Sequence, residues 1–199
     1  MTRAFQIRNE GVHHPDDLAD ASLLKFPGSE HVYFHDAGPL ELPATIYFAA
    51  NFETLKVIDY PAVNVPWPVM SRRMLEALRS VGEFEHRAVA VTMLDDTVEE
   101  RFDAEGRPRP GVAGFEYVAV QLTKHVDAFD WERSEYTRAE FAPEYVWSTK
   151  RLVLKDVALP PLFRLVAYEG PLFVSAEGRT ALEKAGIRGV KYIASEDAF

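Results

Sequence analysis

The stretch 160–192 leaves the chain the least freedom, because a strand, a capped helix and a second strand have to fit inside it. Leu162, Phe163, Leu165 and Val166 form an apolar run, Gly170 and Pro171 interrupt it, and Leu172-Phe173-Val174 resumes as a short strand of the buried kind. Ser175 stands at the N-cap position of the helix that follows, where its hydroxyl can accept from a first-turn N–H. Glu177 adds negative charge near the positive helix end. Gly186 is the expected stop, a residue free to turn left-handed, with Ile187 placed to touch Leu182 as a Schellman cap requires. Gly178, Ala181, Leu182 and Ala185 make the buried stripe, and the small size of three of them predicts a helix lying close on a sheet. Gly189 leads into a last strand over 190–193. No nucleophile, base or ligand set occurs here, so the stretch defines architecture rather than activity.

The segment 71–82 repeats this logic, with a serine at its start, Ala77-Leu78 in register with Ala181-Leu182, and Gly82 in register with Gly186. Four identities in twelve positions are read as two copies of one capping solution rather than as a duplication. Alternation predicts strands over 87–94, with Val89, Val91 and Met93 on one face, and over 116–122, with Val118, Val120 and Leu122 on one face; 150–157 adds another. The expected fold is therefore α+β: one domain over 1–199, a mostly antiparallel sheet containing these strands, and the two Ser-capped helices packed on it.

Upstream, the opening through Asn9-Glu10-Gly11 reads as loosely ordered. Pro15-Asp16-Asp17-Leu18 starts a short helix with Leu18, Ala21 and Leu24 as its inner face. His31-Val32-Tyr33-Phe34-His35 alternates, and 45–48 and 55–58 read as further strands. Pro61, Pro66 and Pro68 bracket Trp67 in an extended connection that cannot be a central strand.

With 199 residues and 47% apolar content the chain can bury one sizeable core. It has no run of apolar residues long enough to span a membrane, and its opening residues lack the apolar core of a signal peptide. The absence of cysteine removes disulfides and thiolate metal sites, and the cytoplasm is the expected compartment. A formal net charge of −9 argues against direct binding to nucleic acid or to anionic membranes and favours a basic partner.

Two connections are longer than structure alone demands. Residues 95–114 carry Asp95, Asp96, Glu99 and Glu100 and end in a breaker-rich tip. Residues 124–147 hold six aromatics, namely Phe129, Trp131, Tyr136, Phe141, Tyr145 and Trp147. Long connections without strong periodicity are usually functional or disordered, and aromatic density argues against disorder in the second. Within it Asp127, Phe129, Asp130, Trp131, Glu132, Glu135 and Tyr136 interleave acids with flat side chains, the composition of a binding patch with anchors and steering charge. The aromatics can equally fill a core beneath the loop.

Other chemistry is weaker. His31, His35 and Asp36 could share a face for zinc, but no further spaced ligand accompanies them, so no metal site is expected. His13-His14 is a loop dipeptide with less claim still. Ser71-Arg72-Arg73 could grip a phosphate at a helix start, yet no glycine-rich loop precedes it, and the arginines are expected to pair with carboxylates. Asp127, Asp130, Glu132 and Glu135 could supply acid catalysis, although their spacing selects no substrate, and an enzyme is not expected.

Four segments carry a resemblance: Val69-Met70-Ser71-Arg72-Arg73; Phe129-Asp130-Trp131-Glu132-Arg133-Ser134; Leu162-Phe163-Arg164-Leu165; and Phe173-Val174-Ser175 with Ala185-Gly186-Ile187-Arg188-Gly189-Val190-Lys191-Tyr192. Together they resemble the immunity proteins of bacterial polymorphic toxin systems, specifically the type known from myxobacteria. The likeness covers 69–199, is strongest in the last forty residues, and leaves 1–68 unmatched. It implies a small cytoplasmic protein, encoded beside a toxin, that binds and blocks it, the toxin being a nuclease. It brings no catalytic residues and no cofactor. Candidate toxin contacts come from composition alone: Asp127, Asp130, Trp131, Glu132, Glu135 and Tyr136, helped by Asp95, Asp96, Glu99 and Glu100. A regulatory or scaffold module and a carboxylate-dependent hydrolase remain the other classes.

Overall fold

The computed structural model describes residues 4–11 and 19–195. In chain order these form β1 (Ala4–Asn9), β2 (Ala21–Leu23), β3 (Ile46–Ala50), α1 (Phe52–Leu55), β4 (Val69–Ser71), α2 (Arg72–Arg79), β5 (His86–Asp95), β6 (Ala113–Leu122), β7 (Glu135–Arg138), β8 (Val146–Arg151), β9 (Leu162–Leu165), β10 (Tyr168–Ser175), α3 (Ala176–Lys184) and β11 (Val190–Ala194).

Alternation along β5 and β6 builds the larger sheet. Val89, Val91 and Met93 of β5 join Tyr117 and Ala119 of β6 on one face, while Val118, Val120 and Leu122 point to the other. The strand order is β2-β3-β5-β6-β4, with β3 parallel to β5 and the other neighbours antiparallel. A second, antiparallel sheet has the order β11-β1-β10-β9, and β7 pairs with β8 in a separate ribbon. The fold is α+β with mostly antiparallel strands, a single domain.

The helices join the sheets through a shared core. Phe5, Ile7, Leu172 and Val174 from the four-stranded sheet meet Met70, Val118 and Val120 from the five-stranded one, with Met74 and Leu78 of α2 and Leu182 of α3 in the same cluster. Leu78 and Leu182 are fully buried, so truncating either to alanine would cost about 2–5 kcal/mol. The outer face of the five-stranded sheet is covered by Trp67, Val32 and Phe34; that of the four-stranded sheet is covered by Phe129, Val146, Leu152 and Leu154.

Both serine caps form. Ser71 Oγ accepts from Met74 N–H and Ser175 Oγ from Gly178 N–H, each at 3.1 Å. At the end of α3, Gly186 N–H bonds Glu183 O and Ile187 N–H bonds Leu182 O, both at 3.0 Å, with Gly186 at φ +62°, which is the Schellman arrangement. Gly82 differs: its φ is not positive, and α2 ends in an ordinary turn, with Ser80 N–H on Glu76 O. The small stripe of α3 meets the connection into β9 as well as the sheet, because a Cβ on Gly178 would collide with the Pro161 carbonyl. As expected, the two arginines pair with acids: Arg72 with Glu116 at 3.3 Å and Arg73 with Asp59 at 2.5 Å. Arg73 also donates to the Ala185 and Gly186 carbonyls, so α2 supplies a charge to the negative end of α3. Burial pushes the Asp59 carboxyl up, but bonds from Arg73, Ser71 and the Arg188 N–H outweigh it and hold the group below its usual range.

Several sequence expectations change. The opening is an ordered strand, β1, lying between β10 and β11, because Phe5 and Ile7 reach the shared core. Residues 55–58 close the short helix α1 and its turn, capped by Asn51, and are not a strand. The histidine stretch is a 3-10 turn at Ser29–His31 and irregular chain; Val32 and Phe34 are buried as alternation required, without a sheet partner. Residues 150–157 belong to no large sheet: Lys150 and Arg151 end β8, and Leu154 makes one bridge to Phe129. Gly170 and Pro171 lie within β10 at a register irregularity and do not break it. Residues 15–18 and the His13-His14 dipeptide fall outside the described residues; Ala21, expected on a helix, is in β2.

Candidate protein-binding surface

The connection after β6 is a built structure. Val126 bridges to Leu165 of β9, Phe129 inserts under the four-stranded sheet, and the chain then rises into the β7–β8 ribbon. Trp131 stacks edge-on against Phe129 and Tyr136, with ring centroids 4.7 and 5.2 Å away, and the Arg138 guanidinium lies 4.7 Å over its ring. Trp131 and Tyr136 are therefore half-buried, and they support the ribbon as much as they face outward.

Asp130 accepts from the N–H groups of Glu132 and Arg133 and from Arg133 Nε at 2.7 Å, and these bonds hold its carboxyl below the ordinary value. Asp127 pairs with Lys155 at 2.8 Å, and Glu135 approaches Arg151 at 4.0 Å. Glu132 is exposed. Three of the four acids put forward for catalysis thus have basic partners, and Asp127 lines a cavity of about 470 Å³ beside His125 and Glu83.

The second acidic group sits on the other sheet. Asp95 ends β5, its carboxylate receiving Thr97 Oγ1 and Thr97 N–H, which lower its pKa. Arg101 donates to the Asp95 and Asp96 carbonyls, Glu100 pairs with Arg109 at 2.7 Å, and Phe102 packs edge-on against Tyr47. Asp96 and Glu99 are exposed. The structure brings Asp127, Asp130, Trp131, Glu132, Glu135 and Tyr136 together beside the four-stranded sheet. It leaves Asp95, Asp96, Glu99 and Glu100 at the end of the five-stranded one.

What composition did not single out is the tip and outer face of the ribbon. Phe141 is 94% and Trp147 76% exposed, and Tyr145 is also exposed. Regular alternation would bury every second residue of β8. Here Tyr136, Thr137 and Arg138 pair with Thr149, Ser148 and Val146, so Trp147 is a bulged extra residue, and Lys150 is another between Thr149 and Arg151. The bulges turn a two-residue burial period into a three-residue one, burying Val146 and Thr149 and leaving Trp147 outside. The tip is held by Ala139 N–H on Tyr145 O, Tyr145 N–H on Ala142 O, and Arg138 Nη1 on the Pro143 carbonyl. Among the described residues each ribbon strand has a strand partner on one edge only, although Val146 N–H on the other edge of β8 bonds the Ala167 carbonyl.

Among the described residues no group of three or more histidines and carboxylates is placed to hold a metal, and no helix is long and apolar enough to cross a membrane. No known protein family and no curated protein matches the sequence.

Proposed function

We propose that this chain is an immunity protein that docks its β7–β8 ribbon on a cognate bacterial toxin, a basic nuclease, and covers the toxin's substrate surface. The observation that carries the reading is the pair of large aromatic side chains, Phe141 and Trp147, presented to solvent on a ribbon whose tip is hydrogen-bonded into one shape. Large exposed aromatics are costly on a surface without a partner and make the strongest anchors when one is present. The net charge of −9 has the sign a phosphate-binding surface attracts, and the family resemblance over 69–199 supplies the partner class.

The arrangement assigns different tasks to different residues. Phe141 and Trp147, with Trp131 and Tyr136 behind them, supply contact area. Glu132, Asp127, Asp130 and Glu135 form the polar rim, and the ion pairs of the last three with lysine and arginine reduce the charge they present. Asp95, Asp96, Glu99 and Glu100 act at longer range, through the field of the whole molecule. In this reading the protein is a stoichiometric cytoplasmic inhibitor with no catalytic group or cofactor of its own.

The test is to mix the purified protein with the nuclease domain encoded beside its gene. The expected result is a one-to-one complex with no DNA cleavage, and its loss when Phe141 and Trp147 are both replaced by alanine. Failure of the native protein to bind or inhibit that domain overturns the function; full inhibition by the double variant overturns the surface.

A further inference from the structure

Arg164 on β9 is 3% exposed, yet among the described residues no carboxylate forms an ion pair with it. Its Nη1 donates to the carbonyls of Glu169, at 2.7 Å, and Gly170, while its Nε is sealed from water without an acceptor. The Glu169 carboxylate is turned to His125, whose Nδ1 lies 3.5 Å away. The guanidinium hydrogen-bonds only to carbonyls, the Glu169 carboxylate acts on it from a distance, and its Nε is unsatisfied, an arrangement that is costly unless something anionic completes it. Burial lowers its pKa to about 10, which still leaves it charged at neutral pH.

Arg164 lines a cavity of about 280 Å³ where the proline-rich connection before β4 crosses the end of the four-stranded sheet. One side is apolar, formed by Pro61, Val63, Pro66, Pro68 and Leu172. The other is polar, with Arg8, whose Nη2 rests on Gln6 Oε1 at 3.3 Å, and Tyr60, whose phenol burial keeps neutral by raising its pKa to about 12. We infer that this cavity is a binding site for a small organic carboxylate, its anionic head on Arg164 and its apolar body against the proline wall. The positive charge of the guanidinium suits a carboxylate, and a dianion such as phosphate would leave the apolar wall unused. The site stands apart from the ribbon and does not depend on the toxin reading.

Calorimetric titration of the full chain with benzoate, benzamide and inorganic phosphate tests it. Saturable one-to-one binding of benzoate, none of benzamide, and at least tenfold weaker benzoate binding by Arg164→Gln are expected. Should Arg164→Gln fail to fold, Arg8→Gln at the exposed rim is expected to weaken benzoate several-fold. In the native protein, the nitrogen-15 resonance of the Arg164 Nε–H should shift with saturation. Absence of benzoate binding by the native chain, binding of benzamide or phosphate as tight as benzoate, unchanged affinity in folded Arg164→Gln, or an unmoved Nε–H resonance each overturns the proposal.

Discussion

The loop between β5 and β6 and the ribbon β7–β8 are both long, charged excursions from a sheet, and they satisfy their surfaces in opposite ways. In the first, Asp103 accepts from the Glu105 and Arg107 N–H groups and from Arg107 Nε, Arg109 pairs with Glu100, Arg101 caps the Asp95 and Asp96 carbonyls, and Phe102 finds Tyr47. The loop closes on itself. In the second, the inner residues Val146 and Thr149 are covered, while Trp147 and Phe141 are presented outward by two bulges and a tight tip. Length and charge do not separate the two. What separates them is whether the large side chains have been given partners.

The most direct way to break this comparison is Trp147→Ala. Because the ring is exposed, the melting temperature should barely move, whereas toxin affinity should fall by about 2 kcal/mol, roughly thirtyfold, chiefly as faster dissociation. Surface plasmon resonance with unchanged dissociation would place the anchor elsewhere. Reversing Asp130, Glu132 and Glu135 to lysine is expected to act next, slowing association by about tenfold at low salt and less at high salt. Part of that loss comes from releasing Arg133 and Arg151, so a ribbon whose association rate is insensitive to the triple reversal at every salt concentration would remove steering from the argument.

Asp103→Ala sharpens the contrast from the other side. Hydrogen exchange of the amides at 105–107 should quicken as their acceptor disappears, with toxin affinity unchanged; a binding defect would make the first loop part of the interface. The smallest effect is acid dependence. Backbone and side-chain bonds from Arg107 depress the Asp103 carboxyl, a bond from Thr97 depresses that of Asp95, and bonds from Arg133 depress that of Asp130. A carboxyl whose folded pKa lies below the ordinary value of about 3.9 contributes its full stability above that pH and loses it as pH falls through the lower folded value. With two such groups against one, the β5–β6 loop should lose more of its order than the ribbon in an acid titration followed by amide chemical shifts. A larger loss in the ribbon would contradict the assignment.

Local chemistry was enough for the parts of the fold that depend on neighbours in sequence. The serine caps, the Schellman turn at Gly186, the alternating strands β5 and β6 and the pairing of Arg72 and Arg73 with acids are all short-range matters, set by backbone geometry and a few side chains. Even β1 was visible in principle, since Phe5 and Ile7 alternate with Gln6 and Arg8, but the strand is short and its partners lie at the far end of the chain. Within the candidate surface, the sequence singled out the aromatic and acidic connection but ranked Trp131 and its acids above the ribbon tip. The deciding facts were the bulge that rotates Trp147 outward and the stack that draws Trp131 inward. Arg164 offered no local signal at all, standing in an apolar run with ordinary flanks.

The sequence by itself determined where strands alternate, where helices start and stop, and the sign of the protein's overall charge, because periodicity, capping and ionisation are properties of residues a few positions apart. Only the tertiary structure decided which aromatic rings are covered, which acids are neutralised by a base, and that Arg164 is buried against carbonyls beside a cavity. Those outcomes depend on register and on contacts between segments as distant as β1 and β10, where a slip of one residue would exchange the side chains that face one core cluster for those that face the other.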